Sequence, residues 1–112
     1  MIRAFGSWLP EGESEESAWP RLVTSTKEVA EYGQSKGVVV GLHNHNHGCI
    51  PATGDQVIRL LDDVDNPYYS HILDTGQYRG SPGASFGERG KEDPLWNFYG
   101  SIETSAPRAV HV

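Results

Sequence analysis

Cysteine is almost missing. Cys49 is the only one in 112 residues, so a disulfide scaffold is excluded by arithmetic. A lone thiol suits a reducing compartment, and the expected location is cytoplasmic. Long apolar runs are missing too. No segment approaches the roughly 20 residues a spanning helix needs. Met1-Ile2-Arg3-Ala4-Phe5-Gly6 lacks the apolar stretch of a secretory leader, so no membrane partner is expected. Basic residues are scarce, nine Lys and Arg against fifteen Asp and Glu, for a net charge of −6. An acidic surface repels phosphate backbones, so no nucleic-acid partner is expected. Large aliphatic and Phe side chains are few, 24 in all, near the lower limit for a globular core. The length allows a single domain, 1–112.

What is present alternates. Ile2–Phe5 is a short apolar segment, followed by a loop rich in glutamate. Ser17 is placed to cap a helix over Ala18–Lys36, with Pro20 in its first turn and Gly37 just past its end. Val38-Val39-Val40-Gly41-Leu42 is a β-branched run without alternation, which predicts a strand buried on both faces. After a polar stretch, Thr53 and Gln56 have capping-box spacing and open a helix over Asp55–Val64. Tyr68–Leu73 predicts a third strand. Thr75–Glu92 is a loop with five glycines; its Arg79–Lys91 part reads either as a lid or as a disordered excursion. Asp93-Pro94 predicts the start of a helix over Leu95–Ser105, Pro107 breaks it, and Arg108–Val112 opens a fourth strand. This order implies an α/β fold of about four parallel strands alternating with three helices. An open doubly wound sheet and a (β/α)8 barrel both fit. No Gly-rich phosphate motif opens any of the helices, which weakens the nucleotide-binding form of the open sheet. In either architecture function sits past the carboxyl ends of the strands.

Those ends hold the unusual residues. His43-Asn44-His45-Asn46-His47 places three imidazoles within five residues, a pattern able to ligate a transition metal. Same-side neighbours on an extended chain lie about 7 Å apart, so at most two reach one metal without a turn. The alternative is that Asn44 and His45 close the mouth by hydrogen bonding, without a metal. Asp74 directly follows a buried apolar run, where a carboxylate suits a metal or a sugar hydroxyl; the alternative is an Asx-turn or a cap. Gln77 is placed to hydrogen-bond a polyol. Trp8 and Phe5 at the first strand exit suit an apolar wall for a sugar ring, or simply core. His71, inside a strand, reads as structural, and Cys49 has no general base at a telling spacing.

Val38-Val39-Val40-Gly41-Leu42-His43-Asn44-His45, then Ile72-Leu73-Asp74-Thr75-Gly76-Gln77, then Pro107-Arg108-Ala109-Val110-His111-Val112 resembles the middle of a xylose-isomerase-like TIM barrel. That superfamily contains sugar isomerases, epimerases and related dehydratases, and an abasic-site endonuclease. The resemblance covers nearly the whole chain, from the fourth barrel strand to the seventh. It implies a divalent metal (Mn, Zn, Co or Mg) at the barrel mouth, held by Glu, Asp, His and Glu. In the family's Leu-Glu-Asn-His motif the glutamate position is taken here by His43, so Leu42-His43-Asn44-His45 departs from it. The Leu-Asp-Thr-Gly-His motif is matched by Asp74, with Gln77 in place of its histidine. The seventh-strand Val-His-Val-His motif is reached only as far as Val112, and the last glutamate is not reached. A complete barrel takes about 250 residues, so the chain reads as a fragment of a longer protein and the isolated chain as catalytically silent. The resemblance implies a metal-dependent sugar or sugar-phosphate isomerase or epimerase, with His43 and Asp74 as metal ligands and Asn44, His45, Gln77 and Trp8 toward substrate. The partner is then a small-molecule sugar or sugar phosphate, and a homo-oligomer stays open. The alternative is a metal-free, polyol-binding or scaffold barrel. Imidazole replaces a carboxylate well for Zn²⁺ or Mn²⁺ but poorly for Mg²⁺.

Overall fold

A computed structural model describes residues 1–83 and 92–112. The segment 84–91, which holds most of the stretch expected as lid or excursion, lies outside the described residues. Six strands are described: β1 (Ile2–Ala4), β2 (Ser7–Trp8), β3 (Val40–His43), β4 (Cys49–Ile50), β5 (Tyr69–Ile72) and β6 (Ala109–His111). Three α-helices separate them: α1 (Glu15–Ser35), α2 (Gly54–Val64) and α3 (Phe98–Ser105), with a 3-10 turn at Ala106–Arg108. The main sheet has the order β1-β3-β5-β6, and every pair in it is parallel. This is the α/β arrangement of a partial (β/α)8 barrel, four of its eight strands.

The helices form one layer over one face of this sheet, α1 against α2 and α2 against α3. Trp19 and Leu22 from α1, Val57, Leu60 and Leu61 from α2, and Val40, Leu42 and Tyr69 from the strands make the shared core. All four residues of β3 are buried, as its unbroken apolar run predicts. The opposite face is concave. A side chain at Gly41 would collide there with the Ile72 side chain, so the glycine is what lets Ile72 lie across the central strand.

Element boundaries differ from expectation in several places. The strand expected at Val38–Leu42 is Val40–His43, and Val38 and Val39 precede it half-buried. The first helix starts at Glu15, because Ser14 is the N-cap: its side chain accepts the Ser17 amide at 3.1 Å. Glu15 and Glu16 then occupy the first turn, where the helix dipole favours them. Pro20 consequently lies beyond that turn and removes one internal hydrogen bond. The third helix starts at Phe98, capped by Asn97 through the Gly100 amide at 2.9 Å. Asp93 does accept an amide, that of Leu95 at 3.0 Å, but it closes a turn and not a helix. The stretch read as a polar loop after His43 contains β4, which pairs antiparallel with β2, Ser7 opposite Ile50 and Trp8 opposite Cys49. Two-residue strands carry no periodicity to read. Gly6 makes this crossing fit, since a Cβ there would overlap the Ile50 carbonyl oxygen.

Candidate active site at the strand exits

The exits of β3 and β5 are adjacent because His43 and Ile72 are register partners in parallel strands. The residues that follow therefore meet at one end. Asn44 is fully buried and ties the two exits together. Its amide nitrogen donates to the Asp74 carbonyl at 2.8 Å, and its amide oxygen accepts the Asp74 N–H at 2.9 Å. The side chain thus imitates a strand and carries the ladder one step past its end, which satisfies two backbone groups that burial would otherwise strand.

Held this way, Asp74 aims its two oxygens apart. Oδ1 accepts the Gly76 N–H at 2.9 Å, the Asx-turn that a carboxylate before Thr-Gly makes. Oδ2 meets His43 Nε2 at 3.0 Å. The Asx-turn expected as the alternative for Asp74 is thus present, while its other oxygen is engaged by His43. A carboxylate only accepts, so Nε2 carries the hydrogen of this bond. Nδ1 of His43 is buried and has no hydrogen-bond partner; in a neutral ring it is then a bare lone pair.

The other imidazoles continue outward as a row. The Phe5 ring meets His43 edge-on at 5.0 Å and His45 at 5.2 Å, and His45 meets His47 at 4.4 Å. His45 Nδ1 accepts the His47 amide at 3.4 Å. Burial pushes the His45 pKa down, and the neighbouring His47 and His43 charges push it further. His71 is structural: fully buried, it bonds the Leu42 carbonyl at 3.1 Å and the Tyr78 hydroxyl at 3.2 Å. Tyr78 continues to Ser105, and burial raises its pKa to about 12, so the phenol stays protonated. Gln77 lies just beyond Asp74, with a buried Oε1 that has no partner.

Two hollows open beside these groups. The larger, about 490 Å³, lies on the concave face, and His43, Asp74, Thr75, Ile72, Arg3 and His111 contribute to its walls. The smaller, about 110 Å³, is formed by the β2–β4 crossing and contains Trp8, Phe5, His45 and Cys49. His43 and Asp74 thus share one hollow, while His45 and Trp8 share the other, with Phe5 between them. The Cys49 thiol is pushed up by burial, so nothing activates it as a nucleophile. Arg3 and His111 had no assigned role in the sequence. Arg3 stands opposite Gly41 and His111 opposite Ile72, a placement that only strand register reveals.

The chemistry of a metal site can be tested on these donors. His43 Nε2 and Asp74 Oδ2 are spaced as two ligands on one cation are, since bonds of about 2.0–2.1 Å set ligand pairs roughly 3 Å apart. Among the described residues no group of three or more His, Cys, Asp or Glu side chains converges. The pair therefore fits as two donors of a site that takes more.

A family model for xylose isomerase-like TIM barrels matches residues 2–109. The chain belongs to the xylose isomerase-like TIM barrel family. No curated protein and no solved structure matches it. As in any barrel of this kind, the strand exits are where chemistry is placed, and the His43–Asp74 pair stands there. Among the described residues no helix is long and apolar enough to cross a membrane.

Proposed function

We propose that this chain forms part of a metal-dependent sugar or sugar-phosphate isomerase or epimerase, with His43 and Asp74 as two of the ligands. The observation that carries the reading is the meeting of His43 Nε2 and Asp74 Oδ2 at 3.0 Å, at adjacent strand exits and beside a hollow of about 490 Å³. A bound divalent cation supplies polarisation of a carbonyl and its neighbouring hydroxyl. The residues of the chain do the rest. Asn44 holds the Asp74 backbone in place, and His43 takes up the cation by giving up the hydrogen between Nε2 and Oδ2, with its imidazole proton then on Nδ1. Gln77 Oε1 is a buried acceptor without a partner just beyond Asp74, although Gln77 lines neither hollow. Trp8 and His45 line the apolar side hollow, a surface suited to the carbon face of a ring.

A second reading is a metal-free barrel that binds a polyol. It is favoured by the bond His43 and Asp74 already make to each other, and by the lack of a third convergent donor among the described residues. Calorimetric titration with Zn²⁺ and Mn²⁺ separates the two. Under the first reading His43→Ala and Asp74→Ala each lower Zn²⁺ affinity by about tenfold or more. His43→Glu shifts preference toward Mn²⁺ and Mg²⁺, because oxygen anions favour harder cations. Identical isotherms across wild type and variants would sink the metal reading and leave the polyol binder.

A further inference from the structure

We propose that Arg3 is an anion anchor, and that the substrate of this hollow is an acidic sugar derivative carrying a phosphate or carboxylate, not a neutral sugar. The inference rests on the reading of the His43–Asp74 hollow as a sugar site. The chain is acidic, with a net charge of −6, and its arginines are correspondingly neutralised. Arg21 pairs with Glu13, Arg59 with Glu16 and Asp63, Arg79 with Glu15, and Arg108 with Asp62. Arg3 is the exception among the described residues. No carboxylate of the described residues lies within ion-pair reach of it, and it packs against the Phe5 ring, 5.3 Å from the guanidinium carbon.

Its position gives that exception a meaning. Arg3 is opposite Gly41, and it lines the same hollow as His43, His111 and Asp74. The only carboxylate side chain there is Asp74, already bonded to His43 and Gly76. The hollow thus carries one cationic side chain, Arg3, and one carboxylate side chain that is already engaged. Stacked on Phe5, the guanidinium keeps its N–H groups free for a planar carboxylate or a phosphate, which it binds through paired hydrogen bonds. Phe5 also touches His43, with ring centres 5.0 Å apart, so an anion on Arg3 leaves the remainder of a small sugar within reach of the His43–Asp74 pair.

The test titrates the isotope-labelled chain with inorganic phosphate, a hexose phosphate, a hexuronate and the neutral hexose, followed by NMR. The hexose phosphate or the hexuronate is expected to bind about tenfold or more tightly than the neutral hexose. Arg3→Met should remove that advantage and Arg3→Lys retain part of it. The advantage seen with phosphate, with carboxylate or with both names the source of the charge. An unchanged ratio of charged to neutral affinity in Arg3→Met overturns the proposal. Asp74→Ala tests the underlying site separately. If neutral hexose binding is indifferent to it, the sugar-site reading fails, while an Arg3-dependent preference for inorganic phosphate would still support the anchor.

Discussion

The centre and the rim of the main sheet use similar residues to opposite effect. Val40 and Leu42 on β3 are 1 % and 0 % exposed, whereas Ile2 on β1 and Val110 on β6 are 53 % and 62 % exposed. All four are aliphatic and all lie on strands paired in parallel, Val110 at an irregularity of its strand. The difference is what covers them. β3 has a strand on each side and α1 against it, while β1 and β6 each have a single strand neighbour. Residue type therefore sets what a position can contribute, and neighbours set what it does contribute. The candidate site belongs to the centre: His43 ends β3 and Asp74 lies just past β5, the two central strands of the sheet.

The comparison breaks most sharply on truncation. Leu42→Ala should destabilise the fold by about 2–5 kcal/mol, because it opens a cavity among packed neighbours. Val110→Ala should cost within about 0.5 kcal/mol. Urea melts of both variants read the contrast, and equal losses would mean that centre and rim are not energetically distinct. Next in size is the clamp between the exits. Asn44→Ala strands the Asp74 amide and should cost about 1–3 kcal/mol, with the His43 and Asp74 NMR signals broadened in the same sample. Unshifted signals would detach Asn44 from the geometry of the pair.

The smallest effect is a pH dependence. Burial lowers the His71 pKa; the bond to the Leu42 carbonyl opposes this, and the nearby His43 adds to it. In the unfolded chain a histidine titrates near about 6.5. Below that pH the unfolded state takes up a proton that the folded state resists. Stability is therefore full above about pH 6.5 and falls as the pH drops toward the depressed folded value. His71→Asn, which keeps a neutral polar side chain, should flatten this part of the stability curve. His45, lowered mainly by its own burial, shifts in the same direction but sits outside the sheet, so His45→Asn should flatten it less. A curve equally steep in His71→Asn would assign the slope elsewhere.

Much of this was legible before any coordinates. The unbroken Val38–Leu42 run marks a strand covered on both sides, because only such a strand can dispense with polar alternation. Thr53 capping through the Gln56 amide is written in their spacing, although the Gln56 side chain turns instead to the Ala52 amide and to Glu15. Asp74 could be singled out because a carboxylate that ends an apolar run in parallel α/β architecture emerges at the working end. The start of α1 was not legible at Ser14, because Ser14 and Ser17 both satisfy the local capping rule and tertiary contacts choose between them: Glu15 reaches Arg79 and Glu16 reaches Arg59.

Sequence by itself determined the alternating α/β order, the two buried central strands and the end of the sheet where His43 and Asp74 emerge. These follow from short-range patterns of hydrophobicity and turn chemistry. Tertiary structure alone decided that Asn44 grips Asp74 across 30 residues, that Oδ2 and Nε2 meet, that β2 finds β4, and that Arg3 shares a hollow with both site residues. Each of those depends on strand register. A parallel pair is joined through a helix, so its register is set by packing between elements distant in the chain, and no local pattern of residues records it.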